Sequence, residues 1–197
     1  MRMWNQRYSG KAYVYGTEPN DFLREQLARL PRGRALCLAE GEGRNAVWLA
    51  RQGYVVTAVD ASDVGLAKAR QLAEKQGVEI DTQHCDLRDY PFTPGHWDLI
   101  VSIFCHLPPE LRQNLHRHCV AGLHSGGALL LEAYTPAQLV YRTGGPPVAE
   151  LMMDAASLRK ELAGLEFELL RELERELHEG VLHDGTGAVV QVLAHKP

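Results

Sequence analysis

Long apolar runs are missing from this chain. No stretch approaches the roughly 18 residues of a membrane span, and Met1 to Gly10 lacks the apolar core of a secretory signal. Cysteine is scarce, and its spacing carries no chemistry. Cys37, Cys85, Cys105 and Cys119 lie in apolar surroundings with no C-x-x-C pair, which argues against a disulfide framework or a dithiol motif. A reduced, cytoplasmic protein is expected, with no membrane partner. Positive charge is not in excess either: a net charge of -4 and a pI near 6.1 leave no footprint for nucleic acid or an anionic lipid surface. Repeats and low-complexity linkers are absent as well, and 197 residues make one domain of ordinary size. A small-molecule partner fits this balance best, and the sequence leaves the oligomeric state open.

What is present concentrates between residues 34 and 62, R-A-L-C-L-A-E-G-E-G-R-N-A-V-W-L-A-R-Q-G-Y-V-V-T-A-V-D-A-S. An apolar run ending at Ala39 meets a glycine turn at Gly41 and Gly43. A helix-like stretch follows, and a second apolar run ends on Asp60. Glycines let a ligand approach the backbone, the next helix offers free N–H groups, and a carboxylate about 20 residues on accepts ribose hydroxyls. Gly41 and Gly43 are therefore expected to be constrained by the ligand's approach, so that Gly43→Val would lose binding yet still melt cooperatively.

The rest of the chain alternates. Strands are expected at 35–39, 54–59, 79–83, 97–104 and 127–134, and helices at 45–52, 62–76 and 109–123. That order implies a parallel sheet covered on both faces, with ligands past the carboxyl ends of its strands. Residues 1–33 read as an N-terminal lid with a capped helix after Asn20, 34–134 as the cofactor-binding core, and 135–197 as an acceptor-side helix and hairpin within the same 1–197 domain. Leu169, Leu173 and Leu177 stand four apart, which suits a helical stripe or every second position on one strand face; propensity favours helix.

Two cofactors fit the glycine turn. G-E-G-R-N-A satisfies the permissive dinucleotide fingerprint, with Asp60 selecting NAD, which would make the chain an oxidoreductase. S-adenosylmethionine fits if Asp86, in H-C-D-L, accepts from the adenine amino edge, although Asp86 also reads as a turn cap. C-L-A-E-G-E-G-R-N, V-D-A-S, C-D-L and W-D-L-I-V-S-I-F-C-H-L-P-P-E, in this order, resemble the class I S-adenosylmethionine-dependent methyltransferases. The small bacterial group related to tellurite-resistance and thiopurine methyltransferases is most similar, and the resemblance extends from Y-V-Y-G-T-E-P-N to E-G-V-L-H-D-G.

The resemblance implies a doubly wound, Rossmann-like α/β fold: a mostly parallel seven-stranded sheet with an antiparallel last strand and helices on both faces. On its authority Leu169 to Leu177 is taken as a strand. It implies S-adenosylmethionine as cofactor, with Ala39, Glu40, Gly41, Asn45, Gly43, Asp60, Ala61, Asp86, Leu87 and Ser102 around it, and a small acceptor, possibly a soft sulfur, selenium or tellurium nucleophile. The chain departs from the pattern where many members carry an acidic residue and a glycine, since Cys37 and Ala39 stand there and Glu40 is left to replace the carboxylate. A non-catalytic S-adenosylmethionine sensor stays open.

His106, just past the fourth strand, is the candidate catalytic group: a neutral imidazole poised near pH 6.5 to take a proton from the acceptor, or a residue that only bonds the loop before Pro108-Pro109. Tyr13 and Tyr15 are candidates to face the sulfonium, and Glu132, Tyr134 and His183 to line the acceptor side. His116, His118 and Cys119 flank an ordinary buried stripe, and no metal site is expected.

Overall fold

The computed structural model describes residues 2–197. Strands β1 (Arg34–Leu38), β2 (Val55–Asp60), β3 (Asp81–His84), β4 (Trp97–Ile103), β5 (Leu123–Tyr134), β6 (Glu166–His178) and β7 (Asp184–His195) form one sheet in the order β3-β2-β1-β4-β5-β7-β6. The first five are parallel, and β7 lies antiparallel between β5 and β6. This is the expected Rossmann-like arrangement.

The central strands are apolar on both faces because helices cover both. Leu36, Leu38, Ile100, Leu129 and Leu131 pack with Leu115 and Cys119 of α5 (Pro109–Gly122) and Leu158 of α7 (Ala155–Glu161). Ala35, Cys37, Leu99, Val101 and Leu130 face the other way, onto Phe22 and Leu23 of α2 (Asp21–Gln26), Ala46 and Leu49 of α3 (Arg44–Arg51), and Leu66 of α4 (Asp63–Gln76). Alternate residues of one strand thus feed two cores, which is what a period of two dictates. At Asn20 the expected cap is present: its side chain accepts from the Leu23 N–H at 3.0 Å. A helix not foreseen, α1 (Arg2–Tyr8), opens the described chain, and Asn5 ties it to Ser62 and Asp63 at the start of α4. A single turn, α6 (Gln138–Tyr141), precedes the Thr143–Pro147 loop.

Helix propensity fails over residues 169–177, and the reason lies on β7. As a strand, β6 places Leu169, Leu173 and Leu177 on one face with Arg171 and Arg175 between them. Arg171 donates to Gln191 Oε1 from Nε and Nη2 at 2.9 and 2.8 Å, and Arg175 donates to both Glu132 oxygens at 2.9 and 2.7 Å. Gln191 and Glu132 meet these arginines only across the sheet, so tertiary pairing overrides local preference.

Arg175 belongs to a larger buried network. Glu179 accepts from Arg175 at 2.7 Å and from Arg44 at 2.6 Å, and Asn20 Nδ2 donates to Glu132 and Glu179 at 2.6 and 2.9 Å. Gln191 donates to Glu132 at 2.6 Å. Burial alone would raise the Glu179 carboxyl, but Arg44 and Arg175 hold it below its ordinary value. Two glutamates and two arginines thereby join the N-terminal segment, α3, β5 and the β6–β7 hairpin. Arg175→Ala should strand Glu132, which has no exposed surface, at a cost of about 3–5 kcal/mol. Tm should fall by on the order of 10 °C. Urea denaturation checks this, and a loss below about 1 kcal/mol would contradict it.

Candidate active site

The carboxyl ends of β1, β2 and β4, with the loop after β3, converge on a cavity of about 610 Å³, within the usual range for a small-molecule site. Ala39, Glu40 and Asn45 line it from the glycine turn, Asp60 and Ala61 from the end of β2, Asp86 and Leu87 from the loop after β3, and His106 from the loop after β4. Trp4, Tyr8 and Tyr15 close it from the N-terminal side, and Gly144 to Pro147 with Leu182 and His183 from the C-terminal side. Residues far apart in sequence thus form one enclosure.

Asp60 fixes the turn as well as facing the cavity. Its Oδ2 accepts from the Gly41 N–H at 2.8 Å and its Oδ1 from the Ser62 N–H at 2.7 Å. Burial raises its carboxyl above the ordinary value, and those N–H groups oppose the rise. Each oxygen keeps a lone pair for a ribose hydroxyl. Asp86 accepts from the Arg88 N–H at 2.9 Å in the turn role weighed above, while still reaching the cavity wall. Glu40 Oε1 accepts from the Asn45 and Ala46 N–H groups at 2.9 and 2.8 Å, capping α3 in place of its side-chain-free N-cap Gly43. Burial first, then nearby Asp60, pushes the Glu40 carboxyl up to about 7 against those backbone bonds and Arg44.

Both turn glycines hold left-handed backbone, φ 60° at Gly41 and 92° at Gly43, and neither is among the cavity-lining residues. What confines them is protein. A Cβ on Gly43 would stand 2.6 Å from Ala69 Cβ and 2.7 Å from Ala69 Cα on α4, and one on Gly41 would stand 2.6 Å from the Tyr8 hydroxyl. A side chain at Gly43 is thus excluded by α4 itself, whatever a ligand adds. Ser102 likewise is buried within β4 and is not among the cavity-lining residues. Ala39 and Phe104 take positive φ, 50° and 52°, at the ends of adjacent central strands β1 and β4. Such strain is of order 1–3 kcal/mol per residue and gathers at functional sites.

His106 is engaged at both nitrogens. Nδ1 donates to the Leu151 carbonyl at 2.9 Å, which leaves Nε2 to accept from the Tyr134 N–H at 3.4 Å. Burial, chiefly, lowers its pKa to about 4. This corrects the expected titration near 6.5, and the bond to the loop backbone is the role the geometry displays. Tyr13 also departs from expectation: its hydroxyl donates to the Lys68 carbonyl at 3.1 Å and its ring lies under the Lys68 ammonium, facing α4. Glu132 sits in the charge network and does not line the cavity.

Tyr8, Trp4, Phe104 and Arg44 were missed from sequence. His183, by contrast, does line the cavity; it packs against Tyr15, Phe104 and Tyr134 at centroid distances of 4.6, 4.5 and 5.4 Å. Burial and then Arg44 lower its pKa to about 3. His116 pairs with Glu161 at 2.7 Å and His118 stacks on Phe92, so neither faces this cavity.

The residues fit an adenosyl sulfonium donor. Two carboxylates at the strand ends and aromatic walls match its nucleoside and cationic halves.

Residues 35–127 match the family model described as a methyltransferase domain. No curated protein matches the chain. Among solved structures, one described with the conversion of a disulfide bond into a thioacetal group during echinomycin biosynthesis superposes with a TM-score of 0.79 at 17% identity, covering 99% of this chain and 92% of that one. TehB from Haemophilus influenzae gives 0.72 at 22% identity, covering 98% of this chain and 66% of that one. The N-methyltransferase NodS from Bradyrhizobium japonicum WM9, in complex with S-adenosyl-L-homocysteine, gives 0.73 at 15% identity, covering 100% and 97%. Residues 35–127 thus match a methyltransferase domain, and these solved structures share the fold of the chain.

Gly43→Ala should lower Tm, at a cost of about 1–3 kcal/mol, because the new Cβ collides with α4 in a conformation that L-residues avoid. An unchanged Tm with lost cofactor binding would restore the ligand-approach account.

Proposed function

We propose that the methyl group passes from S-adenosylmethionine to a small acceptor whose attacking atom is soft, a sulfur, selenium or tellurium carrying its own lone pair and charge. The observation that carries this reading is the state of the two acceptor-side imidazoles. His106 lies near 4 with both nitrogens engaged, and His183 lies near 3 against Phe104 and Tyr134. General-base catalysis is most effective when the base titrates near working pH, so neither group is matched to taking a proton from a hydroxyl or an alkyl thiol. An acceptor that ionises by itself needs neither.

The donor, when bound, supplies an electrophilic methyl on a sulfonium. What remains for the protein is to orient and to exclude water. In this reading Asp60 holds the ribose, Asp86 the adenine edge, and Ala61 with Leu87 the base's faces. Tyr8 and Trp4 of α1 cover the cavity. Phe104 and His183, with Tyr134 stacked behind Phe104 at 4.7 Å, build the wall against which the acceptor lies, under the Gly144–Pro147 loop. Tyr15, its hydroxyl held by Arg7 at 3.0 Å, presents an aromatic face near that wall. His106 sets the wall's position by holding Leu151.

Methyl transfer to two thiols of different acidity, an aryl thiol near pKa 6.5 and an alkyl thiol near the ordinary value of about 8.5, tests the reading. The midpoint of the pH-rate profile should follow the thiol, and His106→Ala should leave that midpoint unmoved while lowering Tm, because the Leu151 carbonyl loses its donor at a cost of about 1–3 kcal/mol. A midpoint fixed near one pH for both thiols and abolished by His106→Ala, with turnover down by about 10² or more, would instead identify a protein base.

A further inference from the structure

Large apolar side chains left in water gather on the pieces that cover the cavity. Of the seven among the described residues, Val55 stands at the amino end of β2, away from the site, while the other six belong to the covering segments. Leu139 and Val140 lie on α6 at the foot of the Thr143–Pro147 loop and Val148 follows that loop; Val181 and Leu182 lie in the β6–β7 turn, and Met3 is on α1. Exposed singly, such residues need no explanation; gathered at one opening, they mark a binding surface. Met3 and Leu182 are 61% and 41% exposed yet also line the cavity, with Pro146 and Pro147. Val148 and Val181, 43% and 82% exposed, each extend that lining by one residue. The cavity wall thus continues outwards as an apolar rim.

The backbone beneath the rim is tied. In the hairpin turn the Glu179 N–H donates to the His183 carbonyl at 2.8 Å and the Val181 N–H to the Val14 carbonyl at 3.0 Å. Gln138 Nε2 donates to the Gly144 carbonyl at 3.2 Å, and Asn5 holds α1 to Asp63 at 2.7 Å. Apolar surface that a fixed backbone keeps in water adds nothing to folding, so its position at the mouth points to a ligand that covers it. We propose that the acceptor carries an apolar body several carbons long, which lies across this rim while its soft atom reaches the aromatic wall. The inference rests on the soft-acceptor reading and narrows it to apolar thiols and their selenium or tellurium counterparts. A small hydrated anion would leave Met3, Val181 and Leu182 in water; an alkyl chain would remove them from it.

Straight-chain alkyl thiols from ethanethiol to octanethiol test this, because their sulfur acidity is nearly constant and only the body grows. With S-adenosylmethionine saturating and each thiol below its own aggregation, kcat/KM should rise by about two- to fourfold per methylene. The rise should level off once the rim is covered. A thiol on an oligo(ethylene glycol) chain of octyl length should do no better than ethanethiol. Leu182→Ser, at an exposed position, should lower the octanethiol-to-ethanethiol ratio by about tenfold, and the same change at Met3 should lower it further. S-adenosylhomocysteine affinity, measured by calorimetry on each variant, checks that the donor half is intact.

A series that is flat or falls with length, or an equal gain for the glycol thiol, overturns the rim while the soft-acceptor reading stands. An unaltered ratio in a variant that still binds S-adenosylhomocysteine overturns it as well. If the variants do not fold, the wild-type series and the glycol comparison decide. Sedimentation showing a dimer that Leu182→Ser dissociates, with the thiol series unaltered, assigns the rim to a second copy of the chain and overturns the proposal. No transfer to any thiol, aryl thiols included, overturns the acceptor reading itself.

Discussion

The buried charge network around Glu132 and Glu179 is the constraint on which the enclosure depends. The open end of a parallel sheet is only a crevice until something covers it, and the covering pieces here come from both ends of the chain. Asn20, Arg44, Arg175 and Gln191 converge on the two glutamates, so the N-terminal segment, the helix after the glycine turn and the terminal hairpin are located relative to one another. A second tie holds the same segment nearer its start. Glu42 accepts from the Val14 N–H at 2.7 Å and pairs with Lys68, which also donates to the Gly10 and Ala12 carbonyls. With two of each sign in low-dielectric surroundings, the network gains specificity from geometry that any single removal would forfeit.

How much of this was legible beforehand follows from the range of each interaction. The order of strands and helices from Ala35 to Tyr134 shows in the sequence because apolar period and glycine turns are local signals. Asn20 as a cap is readable for the same reason. The strand over residues 169–177 is not, since Arg171 and Arg175 pair with Gln191 and Glu132 across the sheet, and no local pattern contains those partners. There the family resemblance supplied what periodicity lacked. The cavity carboxylates were visible because they end strands. Tyr8 and Phe104 were not, because what brings them to the cavity is the folding-over of the N-terminal segment and a left-handed turn at Phe104. Gly43 shows a subtler limit: its need for no side chain was readable, but whether a ligand or α4 imposes that need is a three-dimensional fact.

The chemistry that follows is a division between a polar donor half and an aromatic acceptor half. Carboxylates at the ends of β1, β2 and β3 suit hydroxyl, amino and cationic groups of a nucleoside donor, while Phe104, Tyr134, His183 and the Gly144–Pro147 loop offer little that ionises near neutral pH. That asymmetry is why the donor is better defined than the acceptor, and a fold shared by many chemistries adds nothing on the second point.

Hydrogen exchange with and without saturating S-adenosylhomocysteine measures the central claim, that strand ends and N-terminal segment form one binding enclosure. Slower exchange is predicted together in residues 39–46, 60–62 and 86–88 and in residues 3–16, because opening the cover would then require ligand release. Protection confined to the strand-end loops, with residues 3–16 exchanging as in the free protein, would contradict it.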